Sequence, residues 1–287
     1  MVAHKTFANG FKYIEIINIH AQAKIALQGA HVFEYKSKNK PALLWLSPQA
    51  CFEESKAIRG GIPICFPWFG KHKKNDTFPQ HGFARTILWE LVLEEELEDA
   101  STHIRLKLSD SEETLKVWAY RFEVYLDVVI GEKLILGLHI TNNDTKAFEA
   151  STALHTYFDI SHIDDVSIVG LGGCSYYDAM TQTMHVQNKI LQINSEVDRV
   201  YQLKENSVRL NDASQEIDIE AKGSSSMVVW NPWKQKSMAM ADMPDDGYLS
   251  MVCLETSNAR EDTRIVHPTQ THSIEVVYSQ SNSITKG

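Results

Sequence analysis

Short apolar runs rich in β-branched and aromatic residues recur along the whole chain. The first 47 residues contain four of them, with the sequences KYIEIINIH, AKIALQ, HVFEYK and ALLWLS, divided by short Gly, Asn or Pro breaks. The same rhythm continues to HSIEVVYSQ near the end of the chain. Runs of this length and composition are typical of β-strands. Because they do not alternate with long amphipathic helices, the sequence predicts an all-β fold, an antiparallel sandwich or barrel.

Helical patterns are confined to two short segments. The first runs from Ser109 to Lys116, where Ser-Asp-Ser-Glu-Glu has the form of a helix start, and the second lies near Ser257 to Asp262. The chain contains no internal repeat, low-complexity linker or long charge block that would divide it. Since all-β domains often exceed the usual domain length, we expect residues 1–287 to form a single large domain.

The charge of the chain bears on its partners. Its net charge is -9, with 37 acidic and 28 basic residues, which is the wrong sign for a protein that binds a nucleic-acid backbone. The N-terminus has no basic region followed by an apolar core, and no uninterrupted apolar run is long enough to cross a membrane. We therefore expect a cytoplasmic protein with no nucleic-acid or membrane partner, and a monomer by default.

The chain contains four cysteines, Cys51, Cys65, Cys174 and Cys253. They are widely separated and form no CxxC pair. Most have apolar neighbours, so they are expected to be reduced thiols in the core. Four of the histidines are candidate metal ligands, namely His72, His81, His155 and His162. No HxH, HExxH or CxxC spacing supports this interpretation, and the sequence predicts no metal site.

One segment, AIRGGIPICFPWFGKHKKNDTFPQHGFAR at residues 57–85, fits neither a regular strand nor a helix. It contains Arg59 beside a Gly-Gly pair, three prolines, and Gln80-His81-Gly82 just before Arg85. In an acidic protein, such a local group of cations predicts an anion site. The lysines of the KHKK run are interpreted as solvated charges.

Two further positions have side chains suited to proton transfer. Strand alternation places His155 on the same face as Tyr157, and places Leu154 and Phe158 on the opposite, core face. Glu255 follows directly after an apolar run, so we expect it to be partly desolvated, with a raised pKa. Taken alone, a histidine in such a strand is more often structural than catalytic, and a glutamate in such a position is more often a member of an ion pair.

The order of the motifs resembles one known family. The segments RGGIP (59–63), FP (66–67), QHGFAR (80–85), LHTYF (154–158) and VWNP (229–232), followed by Glu255, resemble the aldose 1-epimerase, or galactose mutarotase-like, superfamily. Within it they are most similar to the branch of glucose-6-phosphate 1-epimerases, also called hexose-6-phosphate mutarotases. The resemblance covers nearly the whole chain.

The resemblance implies a galactose mutarotase-like β-supersandwich with few short helices, whose concave face binds a sugar. It implies His155 as the general acid and Glu255 as the general base. The positions that match substrate-binding residues of the family are Arg59, Gln80, Arg85 and Asp198, and His81 matches a second active-site histidine. Trp230 is expected either to stack on a sugar face or to close the rim of the sandwich.

The implied reaction interconverts the α and β anomers of hexose 6-phosphates, chiefly glucose 6-phosphate. It needs a base to take the proton of the C1 hydroxyl and an acid to protonate the ring oxygen, and it requires no metal or cofactor. Arginines beside a Gly-Gly step are suited to bind the phosphate. Two alternatives stay open: an aldose 1-epimerase for unphosphorylated sugars, and a non-catalytic sugar-phosphate-binding protein. A glycosidase is less favoured, because it needs two carboxylates at the scissile bond.

Overall fold

The computed structural model describes residues 1–282. The predicted single domain, residues 1–287, therefore includes five positions, 283–287, that lie outside the described residues.

Strands dominate the described part of the chain, as the apolar runs predict. In chain order they are β1 Val2–Thr6, β2 Lys12–Ile17, β3 Ala21–Ala26, β4 His31–Ser37, β5 Ile64–Cys65, β6 Glu90–Glu96, β7 Thr102–Ser109, β8 Phe122–Ile130, β9 Leu134–Asn142, β10 Phe148–Ala150, β11 Thr152–Leu154, β12 Tyr157–Asp159, β13 Ser167–Val169, β14 Ser175–Asp178, β15 Thr183–Val186, β16 Val197–Gln202, β17 Ser207–Asn211, β18 Gln215–Lys222, β19 Ser226–Asn231, β20 Met251–Asn258, β21 Arg264–Val266 and β22 Thr271–Asn282.

Two sheets of eight strands form most of the molecule. The first, here called the site sheet, has the order β15-β14-β16-β19-β20-β11-β5, with β12 also paired to β20. The second, the back sheet, has the order β13-β17-β18-β22-β9-β8-β7-β6. Strands β1 to β4 form a separate four-stranded sheet, and β10 pairs with β21. Neighbouring strands within all four sheets run antiparallel, in agreement with the predicted all-β supersandwich.

Helices are few and short in the described residues. The α-helices are α1 Glu112–Val117 and α2 Trp233–Met238, and single 3₁₀ turns span Ala84–Thr86, Ile163–Asp165, Gly247–Leu249 and Arg260–Asp262. Helix α1 overlaps the first predicted segment and ends one residue beyond it; it is capped by Ser111, whose side chain accepts from the backbone N–H of Thr114. None of the described helices is long and apolar enough to cross a membrane.

The second predicted helical segment, near Ser257 to Asp262, is wrong for its first half. Ser257 is still part of strand β20, where it pairs with Ser226 of β19 and with Ala153 of β11. The short polar sequence has helix-start character, but these ladders on both sides hold the backbone extended. Only Arg260–Asp262 turns, as a single 3₁₀ helix.

The central strands of the site sheet are covered on both faces. Every residue of β20 is buried, whereas β8 of the back sheet alternates between buried and half-buried positions. Val252 and Leu254 of β20 belong to the main apolar cluster, which also contains residues of the back sheet. Cys253, on the opposite face, belongs to a second cluster with Trp45, Tyr157 and Trp230. The odd-numbered residues of β20, such as Cys253 and Glu255, therefore point to the side where the candidate site lies.

All four cysteines are free thiols, and three of them are buried, as expected. Cys51 is the exception. It is partly exposed, and its thiol donates to a carboxylate oxygen of Glu53 at 2.9 Å.

Candidate active site

A cavity of about 970 Å³ opens on the second face of the site sheet. Its wall includes every residue that the sequence singled out as a site residue, and these are Arg59, Gln80, His81, Arg85, His155, Asp198, Trp230 and Glu255. They come from positions up to 196 residues apart in the chain, and the fold brings them to one surface.

His155 and Glu255 face each other across two adjacent strands. The register pairs Leu154 with Thr256 and Tyr157 with Cys253, so His155 lies in the gap opposite Glu255. The His155 Nε2 atom is 3.4 Å from Glu255 Oε1. The predicted faces are confirmed, because Leu154 lies in the main core while Tyr157 lies on the cavity side.

Both groups are nearly removed from water. His155 is 7% exposed and Glu255 is 1% exposed. Burial lowers the pKa of His155 well below its ordinary value, and the nearby His81, Arg85 and Arg59 act in the same direction. Burial raises the pKa of Glu255 well above its ordinary value, an effect that Asp198 increases and Arg85 opposes. The expected rise for Glu255 is thus reproduced, and desolvation is its main cause.

The ring of His155 is fixed by its neighbours. Tyr157 stacks on it with a centroid distance of 4.9 Å and an interplanar angle of 9°. Arg59 in turn donates from Nη1 to the Tyr157 hydroxyl at 2.9 Å and forms an ion pair with Asp242 at 3.2 Å. The Nε of Arg59 is buried and makes no hydrogen bond to the described residues. Arg59 therefore links the wall of the cavity to the histidine ring and still retains an unused donor.

His81 approaches His155 from the segment 57–85, with the ring centroids 5.6 Å apart. The backbone N–H of Gly70 donates to His81 Nδ1 at 3.2 Å, which leaves Nε2 to carry the proton of the neutral ring. Burial, followed by the charges of Arg85 and Arg59, lowers the pKa of His81 to about 3. His81 is accordingly a neutral hydrogen-bond donor near neutral pH.

The glycine after His81 has a steric role. Gly82 has φ +72°, and a Cβ at this position would lie 2.0 Å from the carbonyl oxygen of Phe66. Its neighbour Phe83 donates its backbone N–H to that same oxygen at 3.0 Å. The chain can pass this close only without a side chain. This contact fixes the position of Gln80-His81 relative to β5.

Arg85 is held by its own loop. Its Nη2 donates to the backbone carbonyl of Gln80 at 2.8 Å, and its backbone carbonyl lies against Gly29. The lowered pKa values of His81 and His155 both include a contribution from Arg85. Arg85 lines the same cavity as the two histidines, and most of its five N–H donors make no contact to a described residue at hydrogen-bond distance.

Asp198 and Trp230 lie opposite each other on β16 and β19. Burial raises the pKa of Asp198, and Lys236 lowers it. The Nζ of Lys236 is 6.0 Å from the centre of the Trp230 ring and pairs with Glu196 at 2.9 Å. The Trp230 ring is edge-on to His155 at 6.0 Å. Trp230 thus packs against the histidine and is 8% exposed, so it serves partly as wall.

Sequence reasoning missed several residues of the cavity wall. Lys236 follows the VWNP motif by one turn of α2, and Arg260 stacks its guanidinium on the Tyr177 ring at 3.5 Å. Asp242, which pairs with Arg59 but does not line the cavity, was also missed. These residues are in loops or at element ends without any motif. Arg260 has a positive φ of 55°, a backbone feature that a sequence pattern does not reveal.

The four histidines considered as metal ligands are not assembled as a group in the described structure. His72 packs between Trp68 and Phe78, and His162 accepts from the backbone of Asp164. A different group with the chemistry of a metal site does occur. His155, Cys253 and Glu255 each offer a ligand atom within 4.8 Å of the others.

Comparison with known proteins places this architecture among sugar-modifying enzymes. The family model described as Aldose 1-epimerase matches residues 12–279. A relative from Escherichia coli (strain K12), named "Putative glucose-6-phosphate 1-epimerase", is 34% identical over 263 residues, which cover 90% of this chain and 87% of the relative. A relative of the same name from Cenchrus ciliaris is 36% identical over 81% of this chain and 74% of its own length.

A solved structure supports the same grouping. The crystal structure of a "putative mutarotase" from Salmonella typhimurium superposes with a TM-score of 0.92 and 29% identity, covering 98% of this chain and 94% of that chain.

Proposed function

This chain belongs to the aldose 1-epimerase family, and from that premise we propose that it interconverts the α and β anomers of hexose 6-phosphates, chiefly glucose 6-phosphate. The observation that carries the proposal is the buried pair of His155 and Glu255, 3.4 Å apart at the wall of a cavity large enough for a sugar phosphate. A sugar-binding protein without activity has no need of such a pair.

The number of protons that His155 and Glu255 hold between them suits the reaction. Because burial favours the uncharged form of each group, the free site holds one proton for the two. In the proposed step, Glu255 takes the proton of the C1 hydroxyl while His155 gives its proton to the ring oxygen, and the C1–O5 bond breaks to leave an aldehyde. Rotation about C1–C2 and the reverse transfers close the other anomer. The total number of protons on the pair is unchanged.

This assignment needs the shared proton on His155 at the moment of ring opening. Arg85 acts on both groups, because its charge stabilises the Glu255 carboxylate but also disfavours protonated His155. A bound phosphate offsets the charges of Arg59 and Arg85 that hold the pKa of His155 down, and it thereby favours protonated His155. Binding of the phosphorylated substrate therefore favours the protonated form of His155, the general acid that the substrate needs.

Phosphate binding is assigned to Arg85 together with Arg59. The cavity wall carries six Lys or Arg residues and three carboxylates among the described residues, although the whole chain has a net charge of -9. Arg85 has free N–H donors, whereas Arg59 is already engaged by Tyr157 and Asp242. We therefore expect Arg85 to make the stronger phosphate contact, with Arg59 as its partner.

Polarimetry or coupled assays of anomer exchange test the proposal directly. Purified protein is added to freshly dissolved α-glucose 6-phosphate and, in parallel, to α-glucose, and the rates are corrected for spontaneous exchange. We expect a clear preference for the phosphorylated sugar. Preference for free glucose identifies an aldose 1-epimerase for unphosphorylated sugars, and acceleration of neither sugar contradicts an enzymatic role.

A further inference from the structure

We propose that the acid–base pair is also a binding site for a zinc-class divalent cation, held by His155, Glu255 and the neighbouring Cys253, and that the bound metal inhibits the enzyme. Cys253 has no part in the proposed anomer exchange. Its thiol nevertheless lies with the two proton-transfer groups in the cluster whose ligand atoms are all within 4.8 Å of one another.

Strand geometry explains why the three side chains meet. Cys253 and Glu255 are two residues apart on β20, so both project from the same face of the site sheet. His155 follows the adjacent β11 and lies opposite Glu255, as the register shows. All three side chains therefore start from backbone that is fixed by ladder hydrogen bonds, which is a favourable basis for a preorganised site.

The distances are close to those that zinc requires. Zinc–ligand bonds of about 2.0 to 2.3 Å in a tetrahedral arrangement place ligand atoms about 3.5 Å apart. The His155 Nε2 and Glu255 Oε1 atoms are already 3.4 Å apart. Glu255 Oε2 and His155 Nδ1 are buried and make no hydrogen bond to the described residues. Small side-chain rotations that bring the thiol closer therefore break no hydrogen bond at these two atoms.

The donor set selects the kind of metal. A thiolate, an imidazole and a carboxylate together favour Zn²⁺ and similar borderline cations over Mg²⁺ or Ca²⁺, which prefer oxygen. On binding, the thiol proton and the proton held by the pair leave to solvent. The thiolate and carboxylate charges then balance the two charges of the cation, which limits the repulsion from the nearby Arg85.

The cavity determines how a cation reaches the site and what effect a bound cation has on activity. His155 and Glu255 line it, so a cation reaches them from solvent, while Cys253 is fully buried beneath the surface. Three protein ligands leave a fourth position for water or a sugar oxygen. A metal that occupies both His155 and Glu255 removes the acid and the base together, so we expect inhibition.

Cobalt(II) is the probe, because a thiolate bound to Co²⁺ gives a sulfur-to-metal charge-transfer band in the near ultraviolet. We expect this band in the full-length protein, its loss in Cys253→Ser, and its retention in Cys51→Ser, which removes the one partly exposed thiol. Zn²⁺ should displace Co²⁺ and bleach the band. Glu255→Gln keeps the thiol but removes a ligand, so we expect at least about tenfold weaker binding.

Activity supplies the second readout, and it rests on the proposed function. Zn²⁺ should inhibit anomer exchange by the unmodified protein and by Cys51→Ser, and inhibit Cys253→Ser at least about tenfold less strongly. Absence of the band, or a band or inhibition unchanged in Cys253→Ser, overturns the proposal. If the metal-free protein does not exchange anomers, the proposed function fails while the cobalt spectrum still decides the metal site.

Discussion

At the scale of single residues, His155 and Glu255 are both buried and lie next to each other. Burial lowers the pKa of His155 and raises the pKa of Glu255. Among the described residues His155 makes its nearest ionic contact with Glu255, and the other neighbours of its ring are Tyr157, His81 and Trp230. Substitution of either member leaves the other buried without its proton partner. The expected effect is therefore on the chemical step more than on binding.

We predict that His155→Ala or Glu255→Gln lowers kcat for anomer exchange by about 10² or more, the usual scale for loss of general acid–base help. KM should change far less, because the phosphate contacts stay intact. Initial-rate kinetics on α-glucose 6-phosphate measure both parameters. Turnover close to that of the unmodified protein would show that the pair does not carry the reaction.

Arg85→Ala should instead raise KM for the phosphorylated sugar and leave any weak activity on free glucose nearly unchanged. In the proposed function, the guanidinium binds the phosphate and does not contact the reacting C1 and O5 atoms. Arg209→Ala is a matched control, since Arg209 lies on the back sheet, paired with Asp218. Equal losses with both sugars would mean that Arg85 is structural.

The joint order of the motifs indicated these residues, because each one taken alone, such as a glutamate after an apolar run or an arginine beside a Gly-Gly pair, is more often structural. What the sequence lacked was the relation between them. The stacking of Tyr157 on His155, the Asp242 partner of Arg59 and the proximity of Cys253 depend on strand register and loop paths. Lys236 and Arg260 were missed because neither belongs to a recognisable sequence motif.

At the scale of elements, the segment 57–85 depends on close backbone contacts. Its Gly-Gly pair and Gly82 occupy positions where a neighbouring strand or loop leaves no room for a Cβ. The sequence predicted an irregular segment from its glycines and prolines. The groups that these glycines contact, such as the Phe66 carbonyl, could not be predicted, because tertiary packing determines them.

Gly82→Ala should destabilise the protein by about 1 to 3 kcal/mol from backbone strain alone, with crowding added. The added Cβ would meet the Phe66 carbonyl at 2.0 Å and displace His81, so activity should fall as well. Gly10→Ala is the control, because Gly10 also has a positive φ, +89°, but has open space around its Cβ position. Urea unfolding compares the two. A cost for Gly82→Ala no larger than that for Gly10→Ala would contradict the crowding argument.

At the scale of the whole molecule, acid should weaken the fold through buried neutral histidines. His31 on β4 is fully buried and donates from Nε2 to the carbonyl of Gly60 at 2.7 Å. Burial lowers its pKa to about 4, from about 6.5 in the unfolded chain. Between these values the unfolded state binds more protons, so the stabilising contribution of neutral His31 is lost as pH falls.

His31→Gln keeps a donor for Gly60 and removes the titration. It should cost stability at pH 7, and the difference from the unmodified protein should shrink by about 2 to 3 kcal/mol at pH 4.5. Denaturant unfolding at both pH values measures this. His162→Gln, at a half-exposed position, is the matched control. A difference that does not change with pH would mean that His31 is not the titrating group.

The all-β architecture could be predicted for the whole chain because strand signals are local and repeated. The pairing of strands far apart in sequence, such as β5 with β11 or β18 with β22, could not, because register depends on contacts that only the folded chain makes. Even so, the predicted core face of Leu154 and Phe158 is confirmed.

The division of the cavity between sheet and loop has a practical consequence for protein engineering. His155 and Glu255 are set by the middle of the site sheet, whereas the residues from Lys71 to Phe78 form an irregular, largely exposed rim. Libraries that randomise this rim should change which sugars the cavity accepts and leave His155 and Glu255 in place. The scaffold is therefore suited to directed evolution toward other aldoses, with the strands that position His155 and Glu255 kept constant.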